Sequence, residues 1–170
     1  AFAPAAWSQP ADFSIAQVLD YAYPSGLVAA RDGKRIAWVI NLRGARNVWV
    51  ASAPAFVPRQ LTRFDKDDGQ EITQLTFSPS GDTLVFVRGG DHDANWPAEG
   101  DLAPDPAASP EQPKVNLWAV ALPDGTPVEI TEGDAPAISA QGRLAYIKKD
   151  QVWTASLSGK GKAKPTRLFF

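Results

Sequence analysis

The sequence predicts an all-β fold made of repeated antiparallel sheets, and two regularities lead to this prediction. A strand, a tight turn and a second strand recur three times, with Gly33, Gly81 and Gly142 at the turns. A Trp-centred strand follows each copy, and a Thr comes thirteen residues after that Trp. These pairs are Trp49 and Thr62, Trp118 and Thr131, and Trp153 and Thr166. Repeats with several strands in each unit are typical of a β-propeller.

The middle copy shows the repeat most clearly. Its turn has Pro79 where φ must be about −65° and Gly81 where a positive φ carries little strain. In the strand that follows, side chains alternate between two largely apolar faces. One face carries Leu84, Phe86 and Arg88, and the other carries Thr83, Val85 and Val87. A strand that is apolar on both faces is expected to lie between two packed sheets.

A short N-terminal helix is expected before the first repeat. Ser14 is suited to the N-cap, and apolar residues follow it on one helical face. Pro24 and Gly26 are expected to end the helix. The apolar residues are Ile15, Val18, Leu19 and Ala22.

We expect about three four-stranded blades of an incomplete β-propeller. The expected divisions are 1–26 for the N-terminal extension and helix, 27–68 for blade one, 69–134 for blade two and 135–170 for blade three. Strands of blade one are expected near 27–31, 34–41, 46–52 and 58–62. Closed propellers have about 4–8 blades. Three blades therefore indicate a fragment of a larger propeller, whose open sheet edges favour a homo-oligomer.

Blade two is expected to contain a long insertion at residues 89–114. The turn Gly precedes the Trp of the Trp-centred strand by 16 residues in blade one (Gly33 to Trp49) and by 11 in blade three (Gly142 to Trp153), but by 37 in blade two (Gly81 to Trp118). Irregular loops of this length are often functional. The candidate substrate-binding residues in it are Asp91, His92, Asp93, Trp96 and Glu99.

The acidic part of this insertion has two interpretations. Its carboxylates, together with Asp101, are oxygen ligands of the type that a hard cation prefers. A solvated acidic loop is the simpler interpretation, and neither a metal site nor a cofactor is predicted. Trp96 is either a ligand contact or an anchor that holds the segment against its blade.

The composition excludes several classes of function. The 170 residues are 44% hydrophobic and 21% charged, as in a globular domain. A net charge of −2 gives no indication of a nucleic-acid partner, and no apolar run is long enough for a membrane span. Because Cys is absent, thiolate nucleophiles and Cys-ligated metals are excluded. With one histidine, His92, and no Gly-x-Ser-x-Gly elbow, no catalytic residue is predicted in this chain.

The six Trp residues divide into two groups. Four occupy repeat positions and are predicted to be core residues, whereas Trp7 and Trp96 lie outside the repeats. The four are Trp38, Trp49, Trp118 and Trp153.

Two charged segments are expected to be surface loops. The run 63–69 connects blades one and two, and a solvated turn is its simplest interpretation. The basic run 158–164 is expected to be a solvated loop within blade three.

The opening residues 1–6 are rich in Ala and Pro. They are either the start of a chain that a signal peptidase has processed or a flexible linker. The first alternative implies a periplasmic or secreted location, and a cytoplasmic location remains open.

The repeats resemble those of TolB-type propellers, in which Ser-Pro-Asp-Gly precedes an apolar strand, a Trp strand and Leu-Thr. Here the core motif is Ser78–Gly81, Arg31–Gly33 and, in a degraded form, Ala140–Gly142. The arrangement over residues 13–170 is more specific: FSIAQVLDYAYPS leads into ARDGKRIAWV, NVWVAS and RQLT, and then into TQLTFSPSGDTLVFVRGGD with a Pro-rich insertion. It resembles the N-terminal propeller of bacterial serine peptidases of the prolyl oligopeptidase family, in the dipeptidyl peptidase IV and acylaminoacyl peptidase branch.

This resemblance implies the propeller part of a serine peptidase. In that family the propeller covers a C-terminal α/β-hydrolase domain, which contains the catalytic triad, and restricts access to short peptides. The implied partners are therefore a peptide substrate, the remaining blades and a hydrolase domain outside this sequence. The alternative is a fragment of a non-catalytic, TolB-like periplasmic propeller that acts through protein–protein binding.

Recognition of the substrate's free amine is a second implication of the resemblance. The dipeptidyl peptidase IV branch binds this amine with a Glu-Glu pair in its propeller. This sequence has no Glu-Glu dipeptide, so such a pair would lie in a later blade. Within the insertion, Asp91, Asp93 and Glu99 are the acidic candidates to pair with an ammonium group.

Overall fold

The structure, a computed structural model, describes residues 13–89, 114–157 and 165–168, which form one short helix and three four-stranded antiparallel sheets. The helix α1 is Ile15–Leu19. The first sheet contains β1 Tyr23–Ala29, β2 Arg35–Leu42, β3 Ala45–Ser52 and β4 Arg59–Gln60. The second contains β5 Ile72–Phe77, β6 Thr83–Arg88, β7 Asn116–Ala121 and β8 Val128–Glu132. The third contains β9 Asp134–Ile138, β10 Arg143–Lys148, β11 Gln151–Ser156 and β12 Thr166–Arg167. The predicted all-β architecture is confirmed.

The three sheets share one arrangement, in which the strands lie side by side in chain order. The first strand of each sheet contacts the first strand of the next, β1 against β5 and β5 against β9. We call β1, β5 and β9 the inner strands and β4, β8 and β12 the outer strands. Elements that adjoin the inner strands therefore lie where all three sheets converge.

The start of the first sheet differs from the prediction. The helix ends at Leu19, so Ala22 lies outside it, and β1 begins at Tyr23 rather than near residue 27. Pro24 and Gly26, which were expected to end the helix, lie inside β1. Because β1 is an edge strand, it tolerates the missing N–H of Pro24.

Each inner strand contains a bulge, where its pairing with the next strand shifts in register and one residue has a left-handed φ. These residues are Gly26 at φ 61°, Gln74 at φ 52° and Ala135 at φ 50°. The last two are linked, because the Ala135 N–H donates to Gln74 Oε1 at 2.9 Å. The bulges therefore join neighbouring inner strands as well as bending them.

The helix α1 is held by local interactions rather than by burial. The Ser14 hydroxyl accepts from the Gln17 N–H while Gln17 Oε1 accepts from the Ser14 N–H, which completes a capping box. Its apolar side chains, such as Ile15 and Leu19, are exposed. An ion pair between Asp20 and Arg43 connects the end of the helix to the β2–β3 turn.

The strand β6 is the centre of the fold. Its residues 84–87 are all 0% exposed, as expected for a strand between two packed sheets. Leu84 and Phe86 belong to the core shared with the first sheet. Val85 and Val87 belong to the core shared with the third sheet. The alternation along one strand thus joins two hydrophobic cores.

In the first two sheets the distance from Trp to Thr follows from the return of the outer strand, because the Trp opposes the residue two before the Thr. In the third sheet Trp153 opposes Arg167, one residue after Thr166, so the same spacing has a different register. The outer strand pairs with the Trp strand, so Trp49 opposes Gln60. Thr62 then lies beside Val48, whose N–H donates to the Thr62 hydroxyl at 2.9 Å. That hydroxyl donates to Asn47 Oδ1, also at 2.9 Å. In the first sheet, Thr62 therefore satisfies buried polar groups that would otherwise lose hydration.

The Trp residues at repeat positions are less buried than predicted, since all four are partly exposed. Trp118 and Trp153 pack against the two cores. Trp38 and Trp49 oppose each other on the face of the first sheet that points away from Val39 and Val48. No described sheet covers that outer face, which explains their exposure.

The turn before β6 is stabilised by one carboxylate. Asp82 accepts hydrogen bonds from the hydroxyls of Ser80 at 2.7 Å, Ser78 at 2.9 Å and Thr83 at 3.1 Å. These bonds, that of Ser80 above all, hold the pKa of Asp82 below its ordinary value of 3.8. The ionised carboxylate thus organises the turn that the sequence predicts.

Among the residues that the structure describes, no helix has the length and apolar character needed to cross a membrane.

We predict that Phe86→Ala lowers the free energy of unfolding by about 3–5 kcal/mol, because it opens a cavity in the core. Phe86 is fully buried and stacks on Trp118 with ring centroids 6.4 Å apart. The control is Val128→Ala, whose side chain is exposed and whose effect should stay within about 0.5 kcal/mol. Urea unfolding measures both, and equal effects would contradict the central position of β6.

Candidate functional site

The predicted site residues Asp91, His92, Asp93, Trp96 and Glu99 lie outside the described residues, as do Trp7, Asp101 and the run 158–164. The structure does describe the place from which residues 90–113 depart. This is one end of the sheets, where β6 ends, β7 begins and the β2–β3 and β10–β11 turns lie. We call it the insertion end.

The insertion departs through a narrow neck formed by Gly89 and Lys114. A Cβ atom on Gly89 would lie 2.5 Å from the Lys114 carbonyl oxygen and 2.9 Å from Gln70 Oε1. Gly89 has φ +96°, a conformation that other residues rarely adopt. The chain therefore leaves and returns at one point, and Gly is required there.

The neck is anchored between two inner strands. The Gly89 N–H donates to the Glu71 carbonyl oxygen at 2.8 Å, immediately before β5. On the other side, the Gly133 N–H donates to the Val115 carbonyl oxygen at 2.9 Å, immediately before β9. The insertion is thus rooted where the sheets converge rather than at their outer strands.

Arg46 at the start of β3 binds the connection between the first and second sheets. Its Nη2 lies 2.8 Å from Glu71 Oε1, and its Nη1 lies 3.7 Å from Asp67 Oδ1. Nη1 also donates to the Gly44 carbonyl oxygen at 2.8 Å. Arg46 therefore fixes both the β2–β3 turn and the segment that leads into β5.

Arg88 at the end of β6 binds the same connection from the second sheet. It forms an ion pair with Asp68, and its guanidinium carbon lies 4.3 Å from the centre of the Phe64 ring. Phe64 meets Trp118 edge to face, with ring centroids 5.7 Å apart. The run 63–69 is therefore tied to both sheets through Phe64 and Asp68, while Arg63, Asp65 and Lys66 are exposed, as a solvated turn predicts.

A third ion pair lies on the other side of the neck. Lys148 Nζ is 3.0 Å from Glu132 Oε2. The hydrogen bond from Lys148 holds the pKa of Glu132 below its ordinary value. This pair joins the end of β8 to the end of β10.

An open groove lies at the same end, between α1 and the β2–β3 turn. Its volume is about 670 Å³, and its lining includes Leu19, Tyr21, Tyr23, Arg43 and Asp67. The groove combines aromatic side chains with Arg43 and Asp67, which pair with Asp20 and Arg46 respectively.

The described carboxylates nearest the neck are already engaged by cationic side chains. Asp67 and Glu71 pair with Arg46, and Asp68 pairs with Arg88. Within 13–89, 114–157 and 165–168, no three His, Cys, Asp or Glu side chains are grouped to hold a metal ion. These ion pairs position the neck rather than offer a free ligand site.

The sequence analysis did not identify Arg46 and Arg88 as structural residues of this end. The sequence nevertheless contains an indication of this role. Arg46 and Arg88 each lie beside largely apolar residues of a strand, and an acidic run lies between the two strands. An arginine that is mostly buried needs a carboxylate partner, and residues 65–71 supply it.

The comparison with curated proteins gives one match of moderate length. The chain is 39% identical over 64 residues to dipeptidyl aminopeptidase BIII from Pseudoxanthomonas mexicana, and the match covers 36% of this chain and 9% of that protein. The chain thus matches a small part of that relative's length. No family model matches this chain.

Solved structures establish the fold. The β-propeller domain of the trilobed protease from Pyrococcus furiosus matches with a TM-score of 0.52 at 13% identity, covering 87% of this chain and 43% of that chain. An acylaminoacyl peptidase matches with a TM-score of 0.56 at 13% identity, covering 86% of this chain and 25% of that chain. A protein described as TolB from Agrobacterium tumefaciens matches with a TM-score of 0.53 at 14% identity, covering 88% of this chain and 49% of that chain. The three sheets therefore have the β-propeller fold, and the chain spans about half of these neighbours or less.

We predict that Arg88→Met destabilises the protein by about 2 kcal/mol, because it leaves the partly buried Asp68 without its cation. The Arg88 and Asp68 side chains are 19% and 32% exposed. The matched control is Arg43→Met, which breaks a pair that is 65% and 46% exposed and should change stability by no more than about 0.5 kcal/mol. The coupling between Arg88 and Asp68 is measured by urea unfolding of Arg88→Met, of Asp68→Asn and of the double variant. Additive losses of stability would contradict an interaction between the two side chains.

We predict that Gly89→Ala destabilises the protein by about 3 kcal/mol, since backbone strain adds to a clash with a carbonyl oxygen. The control is Gly33→Ala, where φ is +69° but nothing lies within 4 Å of the new methyl group. That variant should lose only about 1 kcal/mol, from the strain alone. Thermal and urea unfolding compare the two, and equal losses would argue against a closed neck.

Proposed function

We propose that this chain is the propeller portion of a serine peptidase of the prolyl oligopeptidase family. We propose further that its insertion end limits access and helps to position short peptides for a hydrolase domain outside this sequence. The observation that carries the proposal is the 39% identity over 64 residues with a dipeptidyl aminopeptidase. The similarity in fold to an acylaminoacyl peptidase supports it.

The position of the neck supports the control of access. The neck lies between the segments that lead into β5 and β9, beside the inner strands. A segment of 24 residues, 90–113, that starts there can reach the region where the sheets converge. Arg46 and Arg88 hold the neighbouring connection in place, so the insertion is carried on rigid strands.

The distribution of charge supports a role in binding the substrate's amine. The carboxylates beside the neck are paired with arginines, whereas Asp91, Asp93 and Glu99 occur in a stretch without Lys or Arg. An ammonium group gains most from carboxylates that have no other cationic partner. We therefore propose that these three residues bind the substrate's N-terminus, and that His92 and Trp96 contribute to substrate binding.

A probe for activated serines tests the peptidase assignment. The native polypeptide that contains this sequence is treated with a fluorophosphonate, and its intact mass is measured. We expect one covalent adduct, which prior treatment with a small serine-hydrolase inhibitor prevents. A folded, unlabelled polypeptide would instead favour a binding propeller of the TolB type.

The amine-binding role is tested separately in the active enzyme. Joint replacement Asp91→Asn, Asp93→Asn and Glu99→Gln should lower kcat/KM for free-amine peptides about tenfold or more, because charged hydrogen bonds are lost. The same peptides with an acetylated N-terminus should be unaffected. The control is Asp124→Asn, whose side chain is 81% exposed at the opposite end of the sheets. Equal losses on both peptide classes would reject the amine role and leave the peptidase assignment intact.

A further inference from the structure

A groove lies between the first and second sheets, on the side of the outer strands. It has a volume of about 450 Å³ and runs between the segment 59–64, which contains β4, and the segment 125–127, which leads into β8. Sites for small molecules have volumes of about 300–1,000 Å³. We call it the outer groove. Both of its walls belong to described sheets that already pack on each other, so further blades, which would continue the stack from the first or the third sheet, do not fill it.

Arg59 bridges the two sheets at the end of the outer groove that lies farther from the insertion end. Its guanidinium donates to the Pro123 carbonyl oxygen, and its Nη1 lies 3.7 Å from Asp124 Oδ1. The facing turn is tight, since a Cβ atom on Gly125 would lie 2.3 Å from the Ala121 carbonyl oxygen. The two walls are therefore held together, and the charge of Arg59 is shared with a carboxylate.

Two aromatic rings line the outer groove. Phe64 and Trp118 meet edge to face, with ring centroids 5.7 Å apart. Each ring is also held by a second group, because Trp118 stacks on Phe86 and the Arg88 guanidinium carbon lies 4.3 Å from the centre of the Phe64 ring. Both side chains are only partly buried, so they offer a fixed apolar surface on which a flat group can pack.

Arg63 adds a positive charge that no carboxylate neutralises. Its side chain is exposed, lines the groove next to Phe64 and forms no ion pair or hydrogen bond with another described residue. The described residues that line the groove include two arginines and neither Asp nor Glu. A planar guanidinium without a partner can bind a carboxylate through two parallel hydrogen bonds. The charge and the rings of the outer groove are therefore complementary to an aromatic anion.

We propose that the outer groove binds a carboxylate that carries a flat apolar group, as in a small aromatic carboxylic acid or the C-terminal residue of a short peptide. Arg63 binds the carboxylate, and Phe64 and Trp118 contact the apolar group. Thr126, which is exposed on the facing wall, adds a hydroxyl for a polar group of the ligand. This site is separate from the amine-binding role of the insertion and requires no hydrolase domain.

Isothermal titration calorimetry with N-acetyl-L-phenylalanine as the probe tests this proposal on the native polypeptide that contains this sequence. Prior treatment with a fluorophosphonate blocks any activated serine, so that binding at a catalytic centre does not contribute. We expect saturable binding with a Kd on the order of 1 mM. The amide of the probe, which lacks the carboxylate, and acetate, which lacks the ring, should each bind about tenfold more weakly or worse.

Variants of two exposed arginines locate the site. Arg63→Gln should weaken binding of the probe about tenfold or more, because charged hydrogen bonds are lost. The matched control is Arg31→Gln, which removes the same charge from an exposed arginine outside the groove and should leave the Kd unchanged. Arg63→Lys keeps the charge without the planar fork, so its affinity should lie between those of Arg63→Gln and the unchanged protein. Circular dichroism verifies that all three variants remain folded.

Three results would overturn the proposal. They are the absence of saturation well above the expected Kd, equal affinities for the probe and its amide, and equal effects of Arg63→Gln and Arg31→Gln. The tripeptide Ala-Ala-Phe distinguishes the two sources of the ligand, since tighter binding than the probe indicates a peptide C-terminus and weaker binding indicates a small aromatic acid. A polypeptide without an activated serine would reject the peptidase assignment and leave this measurement unaffected.

Discussion

Burial of one strand on both faces is the constraint on which the structure depends. Residues 84–87 of β6 lose all contact with water, two toward the first sheet and two toward the third. A shift of register by one residue would place Arg88 in the wrong layer and exchange the two sets of contacts. The turn around Asp82 and the pairing with β7 hold that register from either side. Both cores, and thus the stacking of all three sheets, follow from the placement of this strand.

Much of this fold could be predicted from the sequence because its determinants are local and repeated. The turn at Ser78–Gly81, the alternation in β6 and the return of Thr62 to the Trp strand are all encoded within a few tens of residues. The start of β1 could not be predicted in the same way. Pro24 and Gly26 are helix-ending residues by composition, yet an edge strand with a bulge accommodates both. Only the sheet context, which is not local, decides between these outcomes.

The sequence predicts where the insertion lies but not which contacts hold the residues at its root. The spacing between Gly81 and Trp118 located the insertion, whereas the two arginines that brace its root act across sheets. Arg46 and Arg88 reach carboxylates in the connecting run from opposite sides, and residue spacing carries no information about such contacts. The connection between the first and second sheets therefore fixes the position of the neck relative to the first sheet.

The two unlike faces of each sheet give the stack a direction. In both contacts between sheets, aromatic residues of the later sheet pack on small and aliphatic residues of the sheet before it. These aromatic residues are Phe86 and Trp118 in the second sheet and Tyr146 and Trp153 in the third. A sheet that was turned over would instead place aromatic residues against aromatic residues. This pairing of faces does not determine how many sheets there are, because every contact is of the same kind. That number depends on the angle between successive sheets, which the side chains at the contact adjust. Duplication or deletion of one whole repeat would therefore keep this pairing of aromatic and aliphatic faces, but it would lose contacts particular to one pair of sheets, such as the bond from Ala135 to Gln74.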